Sequence, residues 1–318
     1  MIWLQILLLC TGLALIVFGA DWLVDGASGI ARRFGLSEFV IGLTIVGMGT
    51  SAPEMVVSFI GAFQGNADIA IGNVVGSNII NTLLILGVTA LILPMAITPS
   101  NWKRDIPVNL LTTVLLIVLG LEFTIFRFGS NGLSRWDGGI LLAFFIAYMI
   151  MSFKGNEPDE NDSPAKQRNV WLCLLLIVAG IAGLAFGGKL FVNNATALAS
   201  ALGVSDKFIA ITILAGGTSM PELATCVVAA AKKKGQLALG NIIGSNVFNI
   251  LLILGGSALI SPLSFDHITY VDLGVLLVSA LVLLTAGVVG KKRVIDRLDG
   301  SLFLLIWAAY MAYLIINL

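Results

Sequence analysis

The chain is built from long apolar runs separated by short polar punctuation. The runs reach 20 residues or more, the length that crosses a bilayer. Read in order, they predict five helices in a first half, at about 2–31, 38–63, 68–93, 105–124 and 136–153. They predict five more in a second half, at about 170–200, 205–231, 236–260, 270–289 and 297–316. One polar segment, KGNEPDENDSPAKQRN, stands between the halves and reads as a solvated loop. The expected organisation is therefore a repeat at 1–153, a cytoplasmic linker at 154–169 and a second repeat at 170–318.

Composition sharpens this into a membrane reading. Of 318 residues, 58% are hydrophobic and only 11% are charged, less than half the share that a soluble domain needs for its surface. Mean hydropathy is +1.01. Net charge is zero, so nothing suggests a nucleic-acid partner. The first charge is Asp21, which leaves no basic leader, so the first run is expected to be a retained span. Cys10, Cys173 and Cys226 are scattered through apolar segments and read as small hydrophobes; with His267 the only histidine, no zinc or redox spacing exists. Six tryptophans fall mostly near span ends, as an interfacial belt does.

The two halves are copies. TIVGMGTSAPE lies over TILAGGTSMPE, and GNVVGSNIINTLLILG over GNIIGSNVFNILLILG, both at an offset of 168 residues. Towards the ends the offset becomes 162, where RWDGGILLAFFIAYM lies over RLDGSLFLLIWAAYM. Fourteen lysines and arginines sit in alternate loops, against only Arg127, Arg135 and Lys207 in the others. By the positive-inside rule those richer loops are cytoplasmic and both termini outside. Five helices per half is odd, so the second copy enters the membrane in the opposite sense. The fold class expected is thus an all-α integral membrane protein of ten transmembrane helices in two inverted five-helix repeats, an arrangement that recurs in secondary transporters.

The chemistry concentrates where the copies agree best. Pro53 lacks an amide hydrogen and crowds the carbonyl of Gly49, so the second helix should break around 47–51 and free the Gly47 carbonyl and its neighbours. Such carbonyls are tolerated in a bilayer only where they face a polar cavity or an ion. Thr50 and Glu54 are four apart and share a face. Asn73, Ser77 and Asn81 form one stripe on the next helix, and Gly72 and Gly76 allow a neighbouring backbone to come close. The second copy supplies Asn241, Ser245 and Asn249 with Gly240 and Gly244. Carbonyl, hydroxyl, amide and carboxylate oxygens are hard ligands suited to sodium and calcium. A Gly–Pro kink or a lone membrane asparagine is commonly a packing device. A buried acid, however, costs about 2.5–3.5 kcal/mol even on the lenient insertion scale, and this chain carries one at two equivalent positions, Glu54 and Glu222. Asp21 and Asp25 lie over Lys189 and Asn193, so they break the symmetry and read as anchors near a membrane surface.

The paired GTSAPE…GNVVGSNIIN and GTSMPE…GNIIGSNVFN segments resemble the alpha-repeats of the cation/calcium antiporter superfamily, in its sodium/calcium exchanger branch, over the whole chain. The resemblance implies exchange of sodium for calcium by alternating access at one central cluster, with the first helix of each half sliding as a gate. It implies ligands from Thr50, Ser51, Glu54, Ser77 and Asn81, and from Thr218, Ser219, Glu222, Ser245 and Asn249, with carbonyls of Gly47 and Ala215. No cofactor is implied; calcium and sodium are the transported ions, the bilayer is the surrounding partner, and no protein partner follows. Some members carry aspartate where this chain has Asn249, which puts potassium co-transport and a fixed ion ratio in question. The linker is too short for the large cytoplasmic domain of animal exchangers. Two other readings stay open at this point: a proton/calcium antiporter, since buried glutamates can carry protons, and a cation channel. An enzyme is not indicated, for no nucleophile–base pair, nucleotide loop or metal–water constellation is present.

Overall fold

In a computed structural model, the protein is described over residues 2–126, 131–154, 169–202, 215–265, 268–289 and 293–317. The linker, apart from its two ends, and the first part of the helix expected at 205–231 lie outside the described residues. The helices are α1 (Ile2–Phe34), α2 (Glu38–Thr50), α3 (Ala52–Phe63), α4 (Ala67–Ile92), α5 (Ile106–Gly120) and α6 (Arg135–Lys154). They continue with α7 (Val170–Ala201), α8 (Met220–Ala231), α9 (Gly235–Ile260), α10 (Tyr270–Val289) and α11 (Arg297–Ile316). Among the described residues six of these are long and apolar enough to cross a membrane, or seven if α2 and α3 are one bent span.

Local chemistry sets the ends. Ser37 caps α2 by accepting from the Val40 amide, and Asn169 caps α7 by accepting from Trp171. Asp296 and Asp299 form a capping box on α11. Pro53 breaks the second span as its missing amide requires: α2 and α3 meet at 49°, with Ser51 at the corner (φ −81°, ψ 7°). Ser219, ahead of Pro221, repeats the corner in the second half (φ −85°, ψ 4°). The fourth expected helix ends early, at Gly120, and Glu122–Phe126 forms a separate turn.

The most apolar-looking helices are not the most buried. Buried positions make up 94% of the best span in α9 and 67% in α4, but 22% in α1 and 11% in α11, so α4 and α9 form the centre and α1 and α11 the rim. Trp3, Trp136 and Trp171 are exposed near span ends, whereas Trp102 and Trp307 pack against the core, so the belt is partial. Cys173 and Cys226 are buried, but Cys10 is exposed.

Two glycine-lined crossings hold the bundle. Along α1 and α7 a Cβ at Gly12 would lie 2.9 Å from Gly187 O, one at Gly19 2.9 Å from Gly180 O, and one at Gly26 2.7 Å from Cys173 O. The helices therefore run antiparallel with backbone against backbone. Gly240 and Gly244 of α9 meet the Phe39 and Leu43 backbone of α2 in the same way. For Gly72 and Gly76, among the described residues, nothing lies within 4 Å of a Cβ; the close approach expected of both glycine pairs is seen in one.

Contacts between the halves follow the internal copy. Strand β1 (Met95–Ala96) pairs antiparallel with β4 (Val294–Ile295), and β2 (Gly132–Leu133) with β3 (Leu263–Ser264). Each pair joins a segment of one half to the other's. Within each half the copy also holds: Tyr148 donates to Asp105 (3.1 Å), and its counterpart Tyr310 donates to Asp272 (2.6 Å).

Candidate cation site

The two proline corners bring their hydroxyls and carboxyls together. Ser51 Oγ donates to Glu222 Oε1 at 2.9 Å, and Ser219 Oγ donates to Glu54 Oε1 at 3.4 Å. Each half thus clasps the acid of the other. The same reciprocity appears one residue earlier, where Thr50 Oγ1 reaches Asn241 Oδ1 (3.1 Å) and Thr218 Oγ1 reaches Asn73 Oδ1 (3.4 Å). Ser77 adds a long contact to Glu54 Oε1 (3.5 Å). Glu54 is 0% and Glu222 1% exposed, so both acids are cut off from bulk water, whereas Asn73 and Thr218 beside them are partly buried.

Several buried oxygens keep no protein partner. They include Glu54 Oε2, Glu222 Oε2, Asn81 Oδ1 and Asn249 Oδ1, two equivalent pairs under the internal copy, together with Asn246 Oδ1 and Thr225 Oγ1. Leaving a buried oxygen unsatisfied costs about 1–3 kcal/mol, more if it is charged. Two carboxylate and two amide oxygens left open at equivalent positions are what a cation of hard character would use. Among the described residues no group of three or more His, Cys, Asp or Glu gathers, so neutral oxygens would have to complete any such shell. Asn81 and Asn249 each sit in a π-turn, over Ile80–Ile85 and Phe248–Leu254, which turns their side chains out of the ordinary helical register.

One expectation needs correction. The Gly47 carbonyl is not freed by the break: it accepts from the Ser51 amide (3.0 Å), from Thr50 Oγ1 (3.3 Å) and from Ser245 Oγ (3.5 Å). The corner falls one residue later than the free carbonyl would require, and Pro53 instead deprives Gly49. Ala215 opens the short turn Ala215–Gly217 ahead of α8; the residues before it lie outside those described. Asn73 also ties α4 to α3, donating to Glu54 O (3.1 Å) and Ser58 Oγ (3.0 Å).

A second amide layer was not legible in the motif. Asn249 Nδ2 donates to Asn78 Oδ1 (2.9 Å), Asn78 Nδ2 to Asn246 O (3.0 Å), and Asn246 Nδ2 to Thr82 Oγ1 (2.8 Å). Asn78 and Asn246 fall off the every-fourth-residue stripe, and their repetition at the 168-residue offset was the available signal. Asp21 and Asp25 anchor as expected: Lys232 Nζ bridges both, at 2.7 and 2.6 Å, and Lys234 pairs with Glu38 at 2.6 Å.

The sequence pattern of the family described as sodium/calcium exchanger protein matches residues 4–154 and 172–316. The chain is 39% identical to a putative antiporter, CaxA, of Alkalimonas amylolytica, over 94% of this chain and 95% of that one. It is 34% identical to the sodium/calcium exchanger MaX1 of Methanosarcina acetivorans, over 99% of both. Its fold is similar to that of the sodium-calcium exchanger NCX_Mj soaked with zero Na+ and Ca2+, with a TM-score of 0.85 and 36% identity over 99% of this chain and 100% of that one. A matching pattern over both halves, relatives of this identity over almost their full length and a shared fold make one conclusion: the chain belongs to the sodium/calcium exchanger family, whose members are membrane transporters rather than enzymes.

Proposed function

We propose that the protein is a secondary antiporter that exchanges sodium for calcium across the cell membrane by alternating access at the Glu54–Glu222 cluster. The observation that carries this is the reciprocal clasp of Glu54 and Glu222 by Ser219 and Ser51, with Glu54 Oε2, Glu222 Oε2, Asn81 Oδ1 and Asn249 Oδ1 left buried and without a partner at equivalent positions of the two halves. Two carboxylates balance one calcium or two sodium ions, so the ions exclude one another and their movements are coupled. Thr50, Ser51, Ser77, Thr218, Ser219 and Ser245 supply hydroxyls, and the Ala215 carbonyl would add to the shells.

In this reading the chain spans the membrane ten times, in two inverted five-helix repeats, with both termini outside. The α2–α3 bend and its repeat at Ser219 support the repeat, as do the strand pairs that join each half to the other. The glycine-lined α1–α7 crossing supports a sliding gate: backbone packed on backbone leaves few side chains to disengage as the pair moves.

Purified protein in proteoliposomes tests the proposal. Calcium uptake should follow an outward sodium gradient and collapse when that gradient is dissipated. Uptake driven equally well by a proton gradient alone would replace sodium with protons as the coupled ion. Currents far above a transporter's turnover would make the protein a channel.

A further inference from the structure

We infer that Asn78 is the positioning residue that makes Asn249 an oxygen ligand, by fixing which end of the Asn249 amide stays open. The inference rests on the central-cluster reading above.

A backbone carbonyl only accepts hydrogen bonds. The atom of Asn78 that meets Asn246 O at 3.0 Å must therefore be Nδ2. Its other end is then Oδ1, an acceptor, so the atom of Asn249 that meets it at 2.9 Å must be Nδ2 in turn. Asn249 is left with Oδ1 open, and that oxygen has no protein partner. All three asparagines are at most 2% exposed, so solvent does not offer an alternative partner. An asparagine amide is nearly symmetric in shape, and flipping it costs no space. Without Asn78, Asn249 could turn N–H groups to where a cation needs an oxygen.

The bracing is one-sided, and the sequence says why. Under the 168-residue copy Asn78 corresponds to Asn246, and Thr82 corresponds to Ile250. Asn246 donates to the Thr82 hydroxyl at 2.8 Å. Asn78 has no hydroxyl at 250 to use and takes the Asn246 carbonyl instead. A hydroxyl can donate or accept, so it polarises an amide loosely; a carbonyl does so without choice. Asn78 and an amide at 249 are consequently a matched pair. An aspartate at 249 would set acceptor against acceptor at Asn78 Oδ1.

The test is a double-mutant cycle on full-length protein in detergent, read as calcium affinity from radiocalcium binding, with ion-free melting measured alongside. Removing the partner that orients a metal ligand typically weakens affinity about 10- to 100-fold, and Asn78→Ala should do so. Asn249→Ala should weaken binding as well. The double variant should bind within about twofold of Asn249→Ala, because Asn78 acts only through Asn249. Wild-type affinity in Asn78→Ala, or fully additive losses in the double variant, would overturn the inference. Should Asn78→Ala fail to fold, Asn78→Leu decides: it keeps the size but offers Asn249 no acceptor, so calcium affinity should fall about tenfold, and wild-type affinity would refute the role. Glu54→Gln runs beside these. If it binds calcium like the wild type, the cluster reading itself is wrong. If it loses binding while Asn78→Ala does not, only the positioning role is wrong.

Discussion

Gly244→Ala adds one methyl group where α9 crosses α2, next to Ser245. The new Cβ would lie 2.7 Å from Leu43 Cα and 2.9 Å from its carbonyl carbon, where ordinary contact begins at 3.4 Å. The obstacle is backbone, so no rotamer change relieves it, and α2 must move by roughly 0.7–1 Å in a close-packed interior. Overpacking of this kind costs about 1–3 kcal/mol, offset by up to about 1 kcal/mol for replacing a helical glycine. The net loss should be about 1–2 kcal/mol, which is survivable. The displacement matters more than the energy, because α2 ends in Gly47 and Thr50 and leads to Ser51. A misplacement of about 1 Å costs on the order of 100-fold in positioned enzyme sites. Sodium-driven calcium uptake should fall at least tenfold while melting in detergent drops only modestly. Gly139→Ala is the control: nothing lies within 4 Å of its Cβ, and it should melt no lower than the wild type. Wild-type flux in Gly244→Ala would refute the claim that this crossing sets the site.

Three further outcomes follow from individual contacts. Ser51→Ala strips Glu222 of its 2.9 Å hydrogen bond and should lower ion-free stability by about 1–3 kcal/mol; Ser219→Ala, with a 3.4 Å bond to Glu54, should cost less, and the reverse order in melting would contradict the geometry. Lys232→Gln breaks two partly exposed ion pairs and should cost only about 1 kcal/mol or less, with calcium uptake unchanged; a large drop in melting would mean that the bridge holds the fold. A cysteine at Lys233 should react with an impermeant reagent only from the cytoplasmic side, and labelling from outside intact cells would invert the orientation.

Much of the fold was legible because the bilayer restricts the choices. Pro53 marked its corner, since a missing amide acts wherever it stands. The duplicated GTS and GSN segments marked Ser51, Glu54, Ser219 and Glu222, which the structure joins by hydrogen bonds. What was not legible depends on geometry finer than periodicity. The π-turns at Asn81 and Asn249 shift side chains off a 3.6-residue wheel. The Gly47 carbonyl is capped by Ser245, from a helix about 200 residues away in sequence. The layer of Asn78 and Asn246 sits off the polar stripe, and its role depends on Thr82 having Ile250 as its counterpart.

In the proposed exchange Glu54 and Glu222 bind the transported calcium. Glu54→Gln and Glu222→Gln keep size and hydrogen-bonding capacity and remove a formal charge. If the acids only hold helices together, the amides should serve nearly as well, since interhelical polar contacts in membranes average about 0.6 kcal/mol. If they bind a divalent ion in a site of low dielectric, each change removes a charged ligand where charge counts most. The measurement is sodium-driven calcium flux in proteoliposomes with matched amounts of folded protein. Flux should be severely reduced in both variants, and near-normal flux in either one would show that the pair does not bind the transported ion.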